Sequence, residues 1–199
     1  MLTDPEALDE WRTRTLPTLE YLDAVLMKRR TAIDVGAAEG MVTSWLAERF
    51  ELVHAFEPVP DNFAVLNRKE WAGNAAGNVI CHNVAVGDRS EMRVMEGFGH
   101  SAHITDQTSG TSVQMIALDT CDIANVDLIK IDVEGFETRV ILGARRLIAD
   151  FKPLIMFERK HLFGTRYDDE RPDTLLKRLG YSVVWKGSLD TVMAYQPED

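Results

Sequence analysis

The chain has 199 residues, 45% of them hydrophobic and 27% charged, which is ordinary for one globular domain and leaves no room for a second. Its 32 acidic and 22 basic residues give a formal net charge of -10, which repels phosphate backbones, so we expect no nucleic-acid partner. Met1 to Glu10 show no secretory signal and no apolar run reaches the roughly 18 residues that span a membrane, so we expect a cytoplasmic protein.

Apolar residues at helical spacing predict two helices before residue 30. Leu8 and Trp11 mark the first helix, and Leu19 with Leu22 marks the second. Pro17 suits the first turn of that second helix. We expect residues 1–30 to form N-terminal helices packed on the core, with 31–199 forming the rest of a single domain.

After residue 30, short apolar runs alternate with helical patterns, which is the rhythm of an α/β protein. The first half comprises strand Thr31 to Val35, helix Met41 to Phe50, strand Leu52 to Phe56, helix Asn62 to Trp71 and strand Val79 to Val84. The second half comprises strand Leu128 to Val133, a helix from about Glu137 to Ala149, strand Pro153 to Glu158, helix Asp173 to Leu179, and strands Tyr181 to Trp185 and Thr191 to Tyr195. This alternation predicts a mainly parallel sheet, with the last two strands forming a hairpin.

The connection between Val84 and Leu128 is about forty residues long, which is more than an ordinary connection needs. Two extra strands are predicted within it, Met92 to Met95 and Ser112 to Ala117. The polar segment Gly97 to Gly110 lies between them. We interpret it as a candidate functional loop, because long connections in compact domains often carry function.

A glycine turn follows the first predicted strand, from Asp34 to Gly40. Gly36 and Gly40 allow the backbone to approach a ligand closely, and the following helix start offers N–H groups to an anionic group. The spacing is Gly-x-x-x-Gly, which differs from the dinucleotide fingerprint G-x-G-x-x-G and so fits a nicotinamide cofactor less well. The simpler interpretation is a tight turn that occurs in any α/β protein.

An acidic residue, Glu57, ends the second predicted strand, 21 positions after Gly36. In doubly wound folds a carboxylate at about this separation accepts hydrogen bonds from the ribose hydroxyls of an adenosine. A solvated carboxylate at the strand end is the alternative. Together with the glycine turn, the spacing favours the ribose-binding role.

Five segments of the chain resemble the FkbM-type methyltransferases. They are Ile33 to Ala37, Ala55 to Pro58, Asn83 to Asp88, Ala117 to Asp119, and Asp127 to Glu137. The last segment is the most specific, and together they cover about residues 31–160 in order. The resemblance implies a three-layer, Rossmann-like methyltransferase fold, with a mainly parallel seven-stranded sheet that ends in an antiparallel C-terminal hairpin strand.

The resemblance also implies S-adenosylmethionine as the cofactor and S-adenosylhomocysteine as its product. It places three groups of residues around the cofactor. The residues implied are Asp34, Gly36, Ala37, Ala38 and Gly40 at the methionine part, Glu57 and Pro58 at the ribose, and Asn83, Val84 and Ala85 beside the adenine.

The segment Leu128 to Gly135 should be continuously apolar if it is a buried central strand. Lys130 and Asp132 interrupt it on one face, and Glu134 follows near the carboxyl end, where open parallel sheets bind their ligands. Buried charges are costly, which favours a role in the site. The alternative is a salt bridge from Lys130 that merely closes the strand end.

Three residues are candidates to take a proton from the acceptor: Asp132, Glu158 and His161. Asp132 is the first choice, because it follows a central strand near the expected position of the methyl group. It is also a candidate to orient the cofactor's amino group, in which case His161 or a loop histidine, His100 or His103, is the base. No set of ligands has the spacing of a dedicated cation site, so we expect no metal.

The resemblance implies methyl transfer from the sulfonium to an acceptor, and it favours a hydroxyl of a sugar, a glycan or another small natural product. N-methylation of an amine or amide is the alternative within the same chemistry. A binding module that keeps the cofactor without catalysis, and a nicotinamide oxidoreductase, are alternatives of other classes.

Overall fold

The structure, a computed structural model, describes Asp9 and residues 12–68, 77–97, 102–159 and 170–197. Its helices are α1 (Leu16–Val25), α2 (Met41–Ala47), α3 (Pro60–Leu66), α4 (Glu137–Leu142), α5 (Arg145–Phe151) and α6 (Pro172–Arg178), with a short 3-10 turn at Leu118–Thr120. Its strands are β1 (Thr31–Val35), β2 (Leu52–Phe56), β3 (Val79–His82), β4 (Ala85–Val86), β5 (Glu91–Glu96), β6 (His103–Thr105), β7 (Thr111–Ile116), β8 (Val126–Ile131), β9 (Leu154–Glu158), β10 (Tyr181–Lys186) and β11 (Asp190–Tyr195).

Seven of the strands form the main sheet, in the order β10-β11-β9-β8-β1-β2-β3. The five strands from β9 to β3 are parallel, while β11 runs antiparallel to both β9 and β10. This confirms the predicted mainly parallel sheet with its antiparallel C-terminal hairpin. The strand order reverses between β1 and β8, and ligands bind outside the carboxyl ends of the strands at such a reversal.

Helices cover both faces of this sheet, which gives the predicted three layers. On one face, Val140, Leu147 and Leu176 from α4, α5 and α6 pack against the strands. On the other face, Leu22 of α1 and Leu46 of α2 pack against the alternate side chains of the same strands. Among the described residues, no helix has both the length and the apolar character needed to cross a membrane.

A second sheet, in the order β4-β7-β5-β6, forms from the long connection before β8. The sequence predicts β5 and β7 with a loop over the polar segment between them, whereas the structure places β6 within that segment. Met115 is completely buried between this sheet and Phe136 of the β8–α4 loop. A Cβ atom at Gly143 would lie 1.9 Å from the backbone oxygen of Gly87, so the two backbones touch where the second sheet meets α4.

One predicted helix is in fact two, because Gly143 and Ala144 separate α4 from α5. The carboxylate of Asp119 accepts hydrogen bonds from the backbone N–H groups of Arg146 (2.8 Å) and Leu147 (3.0 Å), and so caps α5 as a separate helix. The helix predicted from Asn62 to Trp71 ends at Leu66 in the structure, and Trp71 lies outside the described residues. The remaining helices and strands lie within a few residues of their predicted bounds. The first predicted N-terminal helix falls largely outside the described residues.

Candidate active site

A pocket lies at the carboxyl ends of β1, β2, β8 and β9, and the second sheet forms its roof. The space between its lining atoms, part of which is open to solvent, is about 760 Å³. The lining residues are Val35, Gly36, Ala38, Phe56, Glu57, Pro58, Val59, Asn62, Val84, Ala85, Val86, Met95, Ala102, His103, Ile104, Asp132, Val133, Glu134, Phe136 and Glu158.

The turn after β1 brings its backbone against the turn after β8. Gly36 has φ +75°, and a Cβ atom there would lie 1.8 Å from the backbone oxygen of Asp132. The N–H groups of Gly36 and Ala37 both donate to the carbonyl oxygen of Phe56, each at 3.0 Å. Any side chain at position 36 would clash with the backbone of Asp132. Glycine is therefore required at this point beside the pocket, where the ends of two strands meet.

Glu57 lies at the end of β2 and is only 4% exposed, although its side chain lines the pocket. Its carboxylate accepts hydrogen bonds from the backbone N–H groups of Ala38 and Val59, both at 2.8 Å. Burial raises the pKa of Glu57, and these two amides partly offset that effect. Glu57 therefore fixes the glycine turn and the β2–α3 turn relative to each other, at the wall of the pocket.

Lys130 lies beneath the glycine turn and is 5% exposed. Its Nζ donates to the carbonyl oxygen of Gly36 at 2.9 Å, and lies 3.1 Å from Asp34 Oδ1 and 3.9 Å from Asp132 Oδ2. Thr43 donates from its hydroxyl to the second oxygen of Asp34 at 2.6 Å. Burial alone lowers the pKa of Lys130, but the neighbouring carboxylates outweigh it and raise the pKa above the usual value.

The salt bridge that the sequence offered as an alternative is therefore present, and it holds the glycine turn as well as the strand end. Asp34 is completely buried and is absent from the pocket lining. Its carboxylate is directed to Lys130 and Thr43. Its contribution to ligand binding would accordingly act through the position of the turn.

The ends of β8 and β9 bring three carboxylates together. Asp132, Glu134 and Glu158 each offer an oxygen, and these three oxygens all lie within 4.8 Å of one another. All three side chains are partly buried and line the pocket. Glu134 has φ +55°, a strained conformation for a residue other than glycine. The N–H groups of Val133 and Gly135 donate to Glu137 Oε1 at 3.3 and 3.1 Å, which holds the turn that carries them.

The pocket thus gathers eight of the predicted site residues in its lining: Gly36, Ala38, Glu57, Pro58, Val84, Ala85, Asp132 and Glu158. The lining does not include four further predicted residues, Asp34, Ala37, Gly40 and Asn83. Asn83 donates to the carbonyl oxygen of Glu57 at 2.9 Å, so it joins the turns after β2 and β3. His161 and His100 lie outside the described residues, whereas His103 lines the roof.

Two groups of residues in this region are not predicted by the sequence. The roof residues, such as Met95 and Ile104, come from the second sheet, and their apolar pattern indicated strands without showing where those strands pack. Asp190, at the start of β11, is 6% exposed and lies in register with Glu158 of β9. An acidic residue directly before an apolar strand was the available signal, and it is too common to indicate a site by itself.

The comparisons with known proteins agree with this architecture. The family model of the methyltransferase FkbM domain matches residues 34–183, which is most of the chain. No curated protein matches.

Three solved structures illustrate the shared fold. The methyltransferase FkbM from Methylobacillus flagellatus KT is 21% identical over 92% of this chain, with a TM-score of 0.61, and this chain spans 48% of its length. An rRNA methylase from Streptococcus thermophilus is 14% identical over 99% of both chains, with a TM-score of 0.52. A protein from Streptococcus mutans, in complex with SAH, is 13% identical over 98% of this chain and all of its own, with a TM-score of 0.52. By its sequence match and its fold, the chain belongs to the methyltransferase FkbM family.

Proposed function

We propose that this protein transfers a methyl group from S-adenosylmethionine to a hydroxyl group of a small molecule or glycan. S-adenosylmethionine is the cofactor that its family and fold imply. The observation that carries the proposal is one pocket with two chemically distinct ends. The glycine turn and the buried Glu57 lie at one end, and the carboxylates of Asp132, Glu134 and Glu158 lie at the other.

The first end suits an adenosine and an amino-acid group. Glu57 accepts one backbone N–H at each carboxylate oxygen, and a carboxylate oxygen has a second lone pair that can accept from a ribose hydroxyl. The pocket wall continues through Val84 and Ala85, where the chain passes from β3 into β4 and where the adenine is proposed to lie. The methionine part would then lie along Gly36 and Ala38, close to the end of β8.

The reaction is a displacement at the methyl carbon. The acceptor oxygen forms the new O–C bond while the C–S bond breaks, and the electron pair of that bond stays on sulfur to give neutral S-adenosylhomocysteine. Because the sulfonium is a good leaving group, much of the acceleration comes from holding donor and acceptor in line, where effective molarities reach about 10⁵ M or more. The hydroxyl proton passes to a base of the protein.

We call the end of the pocket formed by Asp132, Glu134 and Glu158 the acceptor end. We assign the base to a carboxylate there, with Asp132 as the first choice. Asp132 lines the pocket, and its side chain is 41% exposed. Its backbone N–H donates to Val35 O at 3.0 Å, so the residue is held at the β1–β8 junction where the methyl group should lie. Glu158 is the alternative base among the described residues. His161, the third candidate, follows Glu158 by three positions in the sequence.

Cofactor binding tests the first half of the proposal. S-adenosylhomocysteine should raise the melting temperature and NAD should not, since ligand at about 100 times its Kd adds roughly 2.7 kcal/mol. Glu57→Gln should weaken binding of S-adenosylhomocysteine by about tenfold to a hundredfold, the worth of a charge-assisted hydrogen bond. Asp61→Asn, which removes an equal charge from an exposed position four residues away, is the control and should bind as the unaltered protein does. Stabilisation by NAD alone would overturn the assignment.

Methyl transfer tests the second half. A panel of sugars, glycans, hydroxylated metabolites and amines, incubated with labelled S-adenosylmethionine, should yield labelled product from a hydroxyl acceptor. Asp132→Asn should then lower turnover at saturating cofactor with little change in cofactor affinity. If Asp132→Asn retains turnover and loses only cofactor affinity, Asp132 belongs to the binding site. Transfer to amines alone would replace O-methylation with N-methylation.

A further inference from the structure

Asn62 is a polar residue of the pocket wall to which the sequence assigns no role in the site. It lies in the first turn of α3, is only 6% exposed, and lines the pocket together with Glu57. We propose that Asn62 binds the second hydroxyl of the cofactor's ribose, while Glu57 binds the first. The inference deepens the proposed function and rests on the ribose position that it assigns to Glu57.

The carboxylate of Glu57 has a limited number of positions that can accept a hydrogen bond. Its two oxygens together offer roughly four lone pairs. The backbone N–H groups of Ala38 and Val59 use one lone pair on each oxygen. The side-chain amide of Asn62 donates a further hydrogen bond to the same carboxylate. The position that is left can accept from one ribose hydroxyl, and the other hydroxyl needs a different partner.

The partner of the second hydroxyl must lie beside Glu57, because the two hydroxyls are on adjacent carbons of the ribose. Asn62 meets this condition, since its amide hydrogen-bonds Glu57 and lines the same pocket. A side-chain amide has two N–H donors and a carbonyl oxygen with two lone pairs. It can therefore donate to the carboxylate and accept from a hydroxyl at the same time.

The backbone around Asn62 is held in place by the protein itself. The N–H group of Phe63 donates to the carbonyl oxygen of Val59 at 2.9 Å, which closes the first turn of α3. The side chain of Asn83 donates to the carbonyl oxygen of Glu57 at 2.9 Å, which ties the start of this turn to the end of β3. Asn62 and Glu57 thus keep their relative position without a ligand, which lowers the entropic cost of binding.

A paired site of this kind selects a ligand that has both hydroxyls. Glu57 and Asn62 are 4% and 6% exposed, so water has little access to either side chain. A ligand that lacks one hydroxyl would leave one of these two buried groups without the hydrogen bond that the complete ribose supplies, which lowers affinity. We therefore expect Asn62 to set the preference of the site for one ribose hydroxyl and Glu57 to set the preference for the other.

Titration calorimetry with S-adenosylhomocysteine and its 2′-deoxy and 3′-deoxy analogues tests this role without an acceptor. The unaltered protein should bind one analogue about tenfold to a hundredfold more weakly than S-adenosylhomocysteine, because that analogue loses a bond to the charged Glu57. It should bind the other about threefold to tenfold more weakly, the worth of a neutral hydrogen bond. In Asn62→Ala the smaller preference should disappear, while the larger preference should remain.

Asn78→Ala is the matched control. The side chain of Asn78 also donates to oxygens of the protein, the carbonyls of Ala47 at 2.9 Å and Phe50 at 2.8 Å, but it is absent from the pocket lining. This variant should keep both preferences. Melting curves show whether each variant is folded. If Asn62→Ala is unfolded, Asn62→Ser provides the same test, because a single short hydroxyl cannot serve Glu57 and a ligand together.

The outcomes separate the role of Asn62 from the proposed function. If Asn62→Ala weakens binding of all three ligands by the same factor, or leaves both preferences unchanged, Asn62 does not bind the ribose and the inference is overturned. Loss of the same preference in Asn78→Ala would also overturn it, because a distant amide would then have the same effect. Equal affinity of the unaltered protein for all three ligands would instead argue against the ribose position at Glu57, on which the proposed function depends.

Discussion

The two ends of the pocket satisfy their charges in different ways. At the end formed by β1 and β2, the protein supplies partners for its own polar groups. Glu57 accepts hydrogen bonds from two backbone N–H groups, and Lys130 pairs with Asp34 while it donates to the carbonyl oxygen of Gly36. At the end formed by β8, β9 and β11, carboxylates face one another, and the Oδ2 of Asp190 has no donor among the described residues.

The difference indicates how much each end depends on a ligand. An end whose donors and acceptors are matched within the protein is organised before anything binds, which lowers the entropic cost of binding. An end where partly buried carboxylates lie close together carries like-charge repulsion in the folded state. Substitutions at the first end should therefore weaken the fold, whereas removal of a charge at the second should strengthen it.

Gly36→Ala should have the largest effect on this comparison. The new Cβ would lie 1.8 Å from the Asp132 carbonyl oxygen, and the backbone has φ +75°. Overpacking and left-handed strain each cost about 1–3 kcal/mol, and this clash exceeds a usual one, so we expect a loss of about 4 kcal/mol or more in urea unfolding. Gly77→Ala is the matched control, because Gly77 has φ +69° with nothing within 4 Å of its Cβ. Equal losses in the two variants would show that the backbone angle alone matters.

Lys130→Met should have the next largest effect. It leaves Asp34 completely buried, with the hydroxyl of Thr43 as its hydrogen-bond donor among the described residues, and breaking a buried ion pair costs about 3–5 kcal/mol. The double variant Asp34→Asn/Lys130→Met should recover part of that loss in the same unfolding measurement, because no buried charge remains. A single variant as stable as the unaltered protein would show that the ion pair does not hold the turn.

His54→Gln should have the next largest effect, which is a change in how the stability of the protein depends on pH. His54 Nδ1 lies 3.1 Å from His82 Nε2, and burial, with a smaller effect of the His82 charge, lowers the pKa of His54 to about 4. The unfolded chain takes up this proton near pH 6.5, so stability is complete above that pH and is lost as the pH falls toward 4. Between pH 7 and pH 5 the unaltered protein should lose about 2 kcal/mol more than His54→Gln does. Parallel pH profiles would contradict this.

Asp190→Asn should have the smallest effect, and one of opposite sign. The substitution removes a buried negative charge beside Asp132 and retains an oxygen that can accept from Thr18. We expect a gain of about 1–2 kcal/mol at pH 7, because no buried carboxylate has to lose its hydration and none repels Asp132. Asp61→Asn, at an exposed position, should change stability by less than about 0.5 kcal/mol. A loss of stability in Asp190→Asn would mean that the two ends of the pocket do not differ as described.

The features that sequence alone predicted are those encoded in a few adjacent residues. The β1 turn and its partner Glu57 belong to short segments with a fixed spacing, and both line one pocket in the structure. The break between α4 and α5 was missed because its cause, the capping carboxylate of Asp119, lies 27 positions before Arg146. Long-range partners of this kind leave no periodic signal.

The acceptor end was hard to predict for the same reason. Asp132 and Glu158 were identified separately, each at the end of a strand, but their approach depends on the register of β8 with β9. Asp190 depends in addition on the antiparallel pairing of β11 with β9. Strand pairing couples residues that are far apart in the chain, and one residue of slippage would move each side chain to the other face.

The second sheet has a consequence for how the chain can vary. Its first and last strands, β4 and β7, are parallel neighbours, with Ala85 opposite Met115 and Val86 opposite Ile116. The chain therefore enters and leaves the roof of the pocket at adjacent points. A segment with adjacent ends can be exchanged as a cassette without displacing the strands that flank it. Recombination between relatives at this pair of strands would replace the roof while it leaves the glycine turn and Glu57 unchanged.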